Sequence, residues 1–222
     1  MQKFDTTAPV TALVDVPAGS LRFIASDRAE TTVEVLPADS SKSRDVKAAE
    51  QTRVSFEGGV LRIDAPDQKQ ILGPSGTVEV VVQLPAGSRV EGKVAAGELR
   101  GVGRLGDVRF EGAQAVVKLD EAAGARITLQ LGDVTIGRLT GDAEIATQKG
   151  DLLVTEAVRG ALVLRTEHGG ISVAAARGAS ATLDAGTAYG RVLNTLANAA
   201  GADAELSIRA TTSYGDITAR SL

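Results

Sequence analysis

Residues 132–164 read GDVTIGRLT, GDAEIATQK, GDLLVTEAVR and GALVL, four consecutive segments that each open on a glycine. In every segment an apolar residue stands two positions after the glycine, and another stands two positions later. Residues two positions apart in a β-strand point to the same face, so both apolar side chains lie on one face. Glycine between two such runs is typical of a turn. The stretch therefore predicts short strands joined by turns, with one apolar face each.

The segment repeats over the second half of the chain. Glycines fall at steps near nine residues, at positions 97, 106, 124, 132, 141, 150, 160, 169 and 178, and Ala115 fills one missing position. The segments alternate between two kinds, and members of one kind recur every 17 to 19 residues until the last turns lengthen. Self-similarity at a short period is the signature of a solenoid, in which stacking buries each apolar face. We predict an all-β fold, a right-handed, β-helix-like solenoid with about 18 residues per coil over residues 97–222.

Residues 1–96 predict separate strands instead of a repeat, and we expect this β-sheet region to pack on the first coil of the solenoid as part of one continuous domain. The alternating runs lie at 21–24, 32–35, 54–56 and 61–63, followed by the longer run 78–84.

The connections of this N-terminal region carry their own signals. Residues 37–52 predict a polar turn and then one short helix, and Gly73-Pro74-Ser75-Gly76 predicts a turn in a loop over 67–76. The related phrases Val16-Pro17-Ala18-Gly19-Ser20 and Leu84-Pro85-Ala86-Gly87-Ser88 each predict a turn at the end of a strand.

Composition excludes several classes of function. The 28 acidic and 24 basic residues are interspersed and leave a net charge of −4, so no basic stripe indicates a nucleic-acid partner. The absence of cysteine excludes disulfides and thiolate metal sites. No long apolar run follows the first residues, so we expect a cytoplasmic protein without direct membrane insertion. Aromatic residues are only 3% of the chain, which favours a narrow core of aliphatic side chains.

One column of the repeat is a candidate surface site. Four corners read TQKG, TEHG, TAYG and TSYG and end at glycines 150, 169, 190 and 215. The residues before those glycines, Lys149, His168, Tyr189 and Tyr214, include the single histidine and both tyrosines of the chain. The column is either an aromatic and cationic stripe for a sugar, a peptide or a partner edge, or a structural ladder whose side chains pack on their neighbours. We favour the structural interpretation.

The acidic residues after the corner glycines allow two interpretations as well. They are Glu98, Asp107, Asp133, Asp142, Asp151 and Asp216. Stacked carboxylates bind calcium in some repeats, but the glycine spacing here differs from the calcium-binding nonapeptide. Aspartate beside a turn glycine commonly accepts hydrogen bonds from nearby backbone amides. We therefore predict no metal site and no cofactor.

Catalytic motifs are also missing from the sequence. It contains no Gly-x-Ser-x-Gly elbow, phosphate-binding loop or dinucleotide fingerprint, and His168 is its only histidine. We predict that the protein is not an enzyme and has no catalytic residues. Elongated β-helices that act on polysaccharides work with carboxylates and basic residues alone, so a carbohydrate-binding or carbohydrate-acting β-helix stays as the alternative.

The sequence resembles a bacterial family of β-strand-repeat proteins. The resemblance rests on DVPAGSLRFIASDR (15–28), TVEV (32–35) and the Gly-Asp-apolar repeats at 106, 132, 150 and 215. The family is catalogued as a putative adhesin domain of unknown function and is also called the Toastrack domain. The resemblance implies a β-solenoid-like domain, a bacterial and often actinobacterial source, and no known catalytic residues. Its members often carry a membrane anchor or accompany envelope-stress membrane proteins.

Together these features predict a scaffold or protein-interaction module that self-assembles and is linked to bacterial envelope stress. The expected partner is another protein or a second copy of this chain, with a glycan as the weaker alternative. A solenoid leaves unpaired backbone groups at its ends, and such edges recruit other strands unless they are covered. The chain stops at Gly215–Leu222 with no capping helix, so we predict that this last half-coil is the exposed C-terminal solenoid edge.

Overall fold

The computed structural model describes residues 1–65 and 76–222, so the predicted turn at 73–76 lies outside the described residues except for Gly76. The described part contains one α-helix, α1 (Ser43–Gln51), and one 3-10 turn (Gly201–Asp203). The strands are β1 (Gln2–Asp5), β2 (Thr11–Ser26), β3 (Glu30–Pro37), β4 (Arg53–Glu57), β5 (Val60–Asp64), β6 (Val78–Pro85), β7 (Arg89–Leu131), β8 (Val134–Leu139), β9 (Ala143–Lys149), β10 (Leu152–Ala157), β11 (Gly160–His168), β12 (Ile171–Ala175), β13 (Ala181–Tyr189), β14 (Val192–Thr195), β15 (Leu206–Tyr214) and β16 (Ile217–Ser221). The predicted all-β fold, the five N-terminal strands and the short helix after residue 37 are confirmed.

The strands form one large, mostly parallel sheet that does not close on itself. It has two columns, joined because the long strands β2 and β7 contribute to both. The first column runs β4-β5-β2-β7-β9-β11-β15-β13, and the second runs β1-β3-β6-β2-β7-β8-β10-β12-β16-β14. In neighbouring parallel strands, residues at the same position of successive repeats lie side by side. For example, Leu152 lies between Val134 and Ile171.

Alternate residues of both columns meet in a single apolar core that extends through the described chain. The sequence predicts nine inward-facing residues in the repeat, and all nine are at most 1% exposed, which confirms their orientation. They are Val134, Ile136, Ile145, Leu152, Val154, Leu162, Leu164, Ile171 and Val173. Burial of such a side chain stabilises a fold by about 1.5–3 kcal/mol, so stacking of the layers supplies the main driving force.

The parallel register begins far earlier than the glycine repeat at residue 97. Strand β2 pairs in parallel with the start of β7, from Thr11 opposite Arg89 to Ala25 opposite Gly103. Residues 16–20 do not end a strand as predicted, because they continue through β2, but they form the corner at which β2 passes from its pairing with β5 to its pairing with β6. The related phrase at residues 84–88 does form a turn after β6, where Gly87 has φ +80°.

The N-terminal end of the core is closed. The outermost strands of the two columns, β1 and β4, bring Phe4 and Phe56 together with ring centroids 5.2 Å apart. Helix α1 lies against β3 and β6. Lys3 of β1 pairs with Glu30 of β3, and hydrogen bonds from Lys3 and Arg28 hold the pKa of the Glu30 carboxyl below its usual value. Aromatic rings and ion pairs thus cover this end of the sheet.

The last two layers do not follow chain order. Strand β15 lies between β11 and β13, and β16 lies between β12 and β14. The final segment of the chain, β15 and β16, therefore lies between the layer formed by β11 and β12 and the layer formed by β13 and β14, which precede it in the sequence. The prediction that Gly215–Leu222 forms the exposed edge is wrong, because β16 is paired on both sides. Within the described residues the outermost strands at this end are β13 and β14.

The corner glycines of the second column lie too close together for any side chain. A Cβ atom on Gly150 would lie 2.0 Å from the carbonyl oxygen of Gly132, and one on Gly169 would lie 2.1 Å from that of Gly150. Both glycines also have φ above +150°, a region that L side chains rarely adopt. These contacts explain why glycine recurs at the corner.

Gly150→Ala should therefore destabilise the fold, because its methyl group must push two layers apart. We expect the free energy of unfolding to fall by at least about 1–3 kcal/mol, the cost of a strained backbone position. Gly186→Ala is the matched control, because a Cβ there meets no atom within 4 Å, and its effect should stay within about 0.5 kcal/mol. Denaturant unfolding measures both variants, and equal effects would contradict the proposed corner packing.

Candidate functional site

The candidate site is the corner where strands of the first column end. A threonine precedes each corner, buried in three of the four cases and half-buried at Thr187, and its Oγ1 donates a hydrogen bond to the glycine carbonyl of a neighbouring layer. The bonds run from Thr147 to Gly132 (3.4 Å), Thr166 to Gly150 (3.0 Å), Thr212 to Gly169 (3.0 Å) and Thr187 to Gly215 (3.0 Å). These bonds hold the corners in register from layer to layer.

The structure brings the four residues of the predicted column together in the order Lys149, His168, Tyr214 and Tyr189. The His168 and Tyr214 rings stack with centroids 4.8 Å apart, and so do those of Tyr214 and Tyr189. The interplanar angles are 7° and 3°. The tyrosines exchange places relative to the sequence because the last coil inserts beneath β13. We call these four residues the corner ladder.

Stacking determines which ring surfaces of the corner ladder are free. Tyr214 has a ring on each side, so both of its faces are covered, although its residue is 49% exposed. Tyr189 is 67% exposed and has a stacked ring on one side only. Its second face therefore points away from the layers, toward the C-terminal end of the sheet. The corner ladder offers one free aromatic face at that end, together with a row of exposed ring edges.

A shallow groove of about 610 Å³ runs beside the corner ladder. Its lining includes Ala113, Gln130, Gln148, Lys149 and His168. The small side chain of Ala113 leaves space, and the two glutamine side chains are exposed. The groove thus offers amide groups and charges of both signs, from Lys149 and Glu167, more than aromatic surface.

The aspartates that follow the corner glycines bond to the next layer. An Oδ1 atom accepts a backbone N–H from one layer away in four cases: Asp133 from Asp151 (2.8 Å), Asp142 from Ala161 (2.8 Å), Asp151 from Gly170 (2.7 Å) and Asp216 from Arg191 (2.8 Å). Asp107 instead pairs with Arg89 at 2.8 Å. Aspartate therefore joins successive layers at the corners, where the sequence suggested a bond within its own turn.

Calcium should not change the stability of this protein. One oxygen of Asp133 and one of Asp151 already accept backbone hydrogen bonds, and among the described residues no group of three or more acidic or histidine side chains is arranged to hold a metal. We expect the Tm to be the same in EDTA and in excess calcium, because a ligand that binds the folded state would raise it. A rise of several degrees with calcium would identify the aspartates as a metal site.

The sequence predicts an exposed C-terminal edge but not the strands that form it. The end coil, defined here as β13 and β14, exposes Val192 by 42% and Leu193 by 55%. Val192 aligns with the buried Ile217, so it faces the core and yet stays uncovered. The only signal in the sequence is the charge-free run Val192-Leu193-Asn194-Thr195, which is too short to distinguish an edge strand from an interior one.

Asp184 of the end coil and Arg191, which joins its two strands, form ion pairs with the layer beneath while their side chains stay exposed. The Asp184 carboxylate lies 2.9 Å from the Arg209 guanidinium, and Arg191 lies 3.5 Å from Asp216. The segment after β14 covers one corner, where the N–H of Ala181 donates to the carbonyl of Ala197. The rest of the end coil is uncharged; Val192 and Leu193 are exposed, and Asn194 aligns with the buried Ala219 on the core side.

No family model and no curated protein matches the sequence. Among solved structures, a putative adhesin from Bacteroides fragilis superposes with a TM-score of 0.58 at 11% identity, over 98% of this chain and 95% of that one. A putative cell adhesion protein from Clostridium sporogenes gives 0.43 at 13% identity over 100% and 98%. A putative lipid-binding protein from Parabacteroides distasonis gives 0.42 at 13% over 98% and 95%. None of the described helices is long and apolar enough to cross a membrane. The chain shares its fold with the Bacteroides protein, in agreement with the sequence resemblance to the bacterial β-strand-repeat family of putative adhesins.

Proposed function

We propose that this chain is a non-enzymatic interaction module, a right-handed β-solenoid with about 18 residues per coil, that self-associates through its end coil. The observation that carries the proposal is the uncovered end of the apolar core at Val192, which is 42% exposed although it aligns with buried residues. The fold shared with a putative adhesin is consistent with a binding role. A link to envelope stress stays a prediction of the family resemblance.

An open edge of this kind is normally protected in proteins that stay monomeric. Edge strands are blocked by charged residues, proline, bulges or a covering segment, because their free N–H and C=O groups recruit other strands. Here the segment after β14 bonds to Ser180 and Ala181 and packs Leu196 against the core, but it leaves Val192 and Leu193 exposed. The charges at Asp184 and Arg191 are paired with the layer beneath. Docking of a second apolar edge would bury Val192 and its neighbours.

Val192→Lys tests the proposal, because an inward-pointing charge on an edge strand prevents edge pairing. In the monomer the lysine can reach solvent, whereas at a docked edge its ammonium group would be buried without a partner. We expect the wild type to associate as its concentration rises in sedimentation velocity, and the variant to remain a single chain. Leu153→Lys is the matched control, since Leu153 is 40% exposed but lies in an interior layer. A wild type that is monomeric at every concentration would contradict the proposal.

Carbohydrate binding is the second candidate, and the groove beside the corner ladder favours it. Exposed Gln130 and Gln148 can exchange hydrogen bonds with hydroxyl groups, and Tyr189 has one free ring face. The ring faces of Tyr214 are covered, which leaves little aromatic surface for a sugar ring. The chain has no tryptophan and only two tyrosines, so its intrinsic fluorescence reports on the corner ladder. A saturable change on adding oligosaccharides, lost in Gln148→Ala, would support this candidate.

A further inference from the structure

We infer that self-association produces an isologous dimer, in which β13 and β14 of one chain pair antiparallel with β13 and β14 of a second copy. This inference rests on the proposed function and adds the partner, its orientation and the point at which assembly stops. An isologous contact uses the same surface on both chains and closes at two, whereas a head-to-tail contact extends into a filament.

The closed N-terminal end argues against a filament. A head-to-tail contact would place the end coil against β1 and β4, the outermost strands at the other end. There the stacked Phe4 and Phe56 rings cover the core, and Lys3 and Glu30 form an ion pair at the edge. Charged side chains on a short edge strand oppose pairing with a further strand. The end coil therefore finds its best complement in another end coil.

Backbone geometry identifies the groups that would pair. The N–H of Ala181 bonds to Ala197 on the side away from β15. In a parallel ladder alternate residues direct their N–H and C=O groups to opposite sides. Leu183, Ala185 and Thr187 therefore present their backbone groups at the open edge of β13. A two-fold axis perpendicular to both columns reverses the strands, so β13 meets its own copy antiparallel.

The side-chain alternation restricts the register of this pairing. Inward-facing residues must lie opposite inward-facing residues, or one chain would turn its apolar side chains to solvent. An axis through Ala185 satisfies this condition and places Leu183 opposite the second copy's Thr187. It also places Asp184 opposite Gly186 of the second copy, so no like charges meet. Ala185 in β13 and Asn194 in β14 lie at similar distances from the corner at Gly190, five and four residues away. They therefore lie roughly opposite each other, so one axis can pass through both columns.

The same arrangement makes the two cores continuous. Val192 faces the core side of the sheet and would be covered by the second copy. Tyr189 would lie near Ala181 of the second copy, beside the segment that follows β14, and would lose much of its exposure. Two edges that are uncovered in the single chain thus cover each other, and no free end-coil edge is left to add a third chain.

Cross-linking through single cysteines tests the orientation, and the chain has no cysteine of its own. Leu193→Cys lies on β14, so an isologous contact brings the two thiols close enough for a short bis-maleimide cross-linker. Leu153→Cys is the control at the equivalent position three layers away, because Leu153, Ser172, Thr218 and Leu193 are aligned. In the same dimer seven strand spacings of about 4.8 Å each would hold the two control thiols roughly 34 Å apart. We expect a covalent dimer for Leu193→Cys and single chains for Leu153→Cys.

Sedimentation of the wild type completes the test. A mass that levels off at two chains, together with the cross-link at position 193, supports the isologous dimer. Growth beyond two chains, or association without the cross-link at position 193, would overturn the dimer and leave self-association intact. A wild type that remains a single chain at all concentrations would overturn both the dimer and the proposed function.

Discussion

Ile208→Asp should destabilise the protein far more than Leu183→Asp, although Leu183 comes earlier in the chain and both occupy the same position of their repeats. Ile208 lies between Leu162 and Leu183 in the sheet and is 1% exposed. An aspartate there would be a buried charge without a partner between two apolar layers. Leu183 is only partly buried and has a sheet partner on one side in the single chain. Both variants are therefore compared in the Val192→Lys background, which blocks docking, so that an aspartate at position 183 can reach water.

The expected difference is large enough for thermal unfolding. We expect Ile208→Asp to cost roughly 4 kcal/mol or more and Leu183→Asp about 1 kcal/mol. A change of 1 kcal/mol shifts the Tm of a domain of this size by about 2–4 °C, so the first variant should unfold at least about 8 °C below the Val192→Lys parent. Chain order alone, with β15 as the last strand of the first column, would give the opposite ranking. That opposite ranking would contradict the inserted position of the final coil.

Ile136→Asp should abolish cooperative folding. Ile136 is 0% exposed and lies between Leu119 and Val154, in the middle of the stack. The substitution removes about 1.5–3 kcal/mol of apolar burial and adds the cost of an unpaired buried carboxylate, against a total stability of about 5–15 kcal/mol typical of such domains. Because each layer covers its neighbours, a defect in the middle should spread in both directions.

Thr135→Asp is the control for that variant, since Thr135 is only half-buried and its side chain alternates to the outer face. It should melt cooperatively near the Tm of the wild type, as monitored by far-UV circular dichroism. A cooperative transition for Ile136→Asp at the same temperature would show that the assigned inward face is wrong.

Local patterns were sufficient to predict the strands, the inward face and the corners. The period of two determined which side of each strand is apolar, and all nine predicted core residues of the repeat are buried. The glycine steps predicted the corners because a Cβ at Gly150 would collide with the preceding layer. The residues of the corner ladder were identified for the same reason, since a column of a repeat becomes a column in space.

Long-range order was not predictable from the same patterns. The two last coils end in TAYG and TSYG and have matching apolar positions, so local sequence does not determine which of them contacts β11 and β12. The first parallel coil was missed because residues 27–88 separate β2 from its partner in β7. The sequence does contain a signal for this coil, the similar segments VPAG at 16–19 and VAAG at 94–97, whose residues align in the sheet.

Amide hydrogen exchange of the Val192→Lys variant tests the central claim, that β13 and β14 form the open end while the last coil lies inside the stack. Strands β15 and β16 are paired on both sides, so their amides should exchange slowly throughout. In β13 the amides of Leu183, Ala185 and Thr187 should exchange quickly, because they face the open edge and the variant blocks docking. Rapid exchange across Leu206–Ser221 with uniform protection across Ala181–Thr195 would contradict the account.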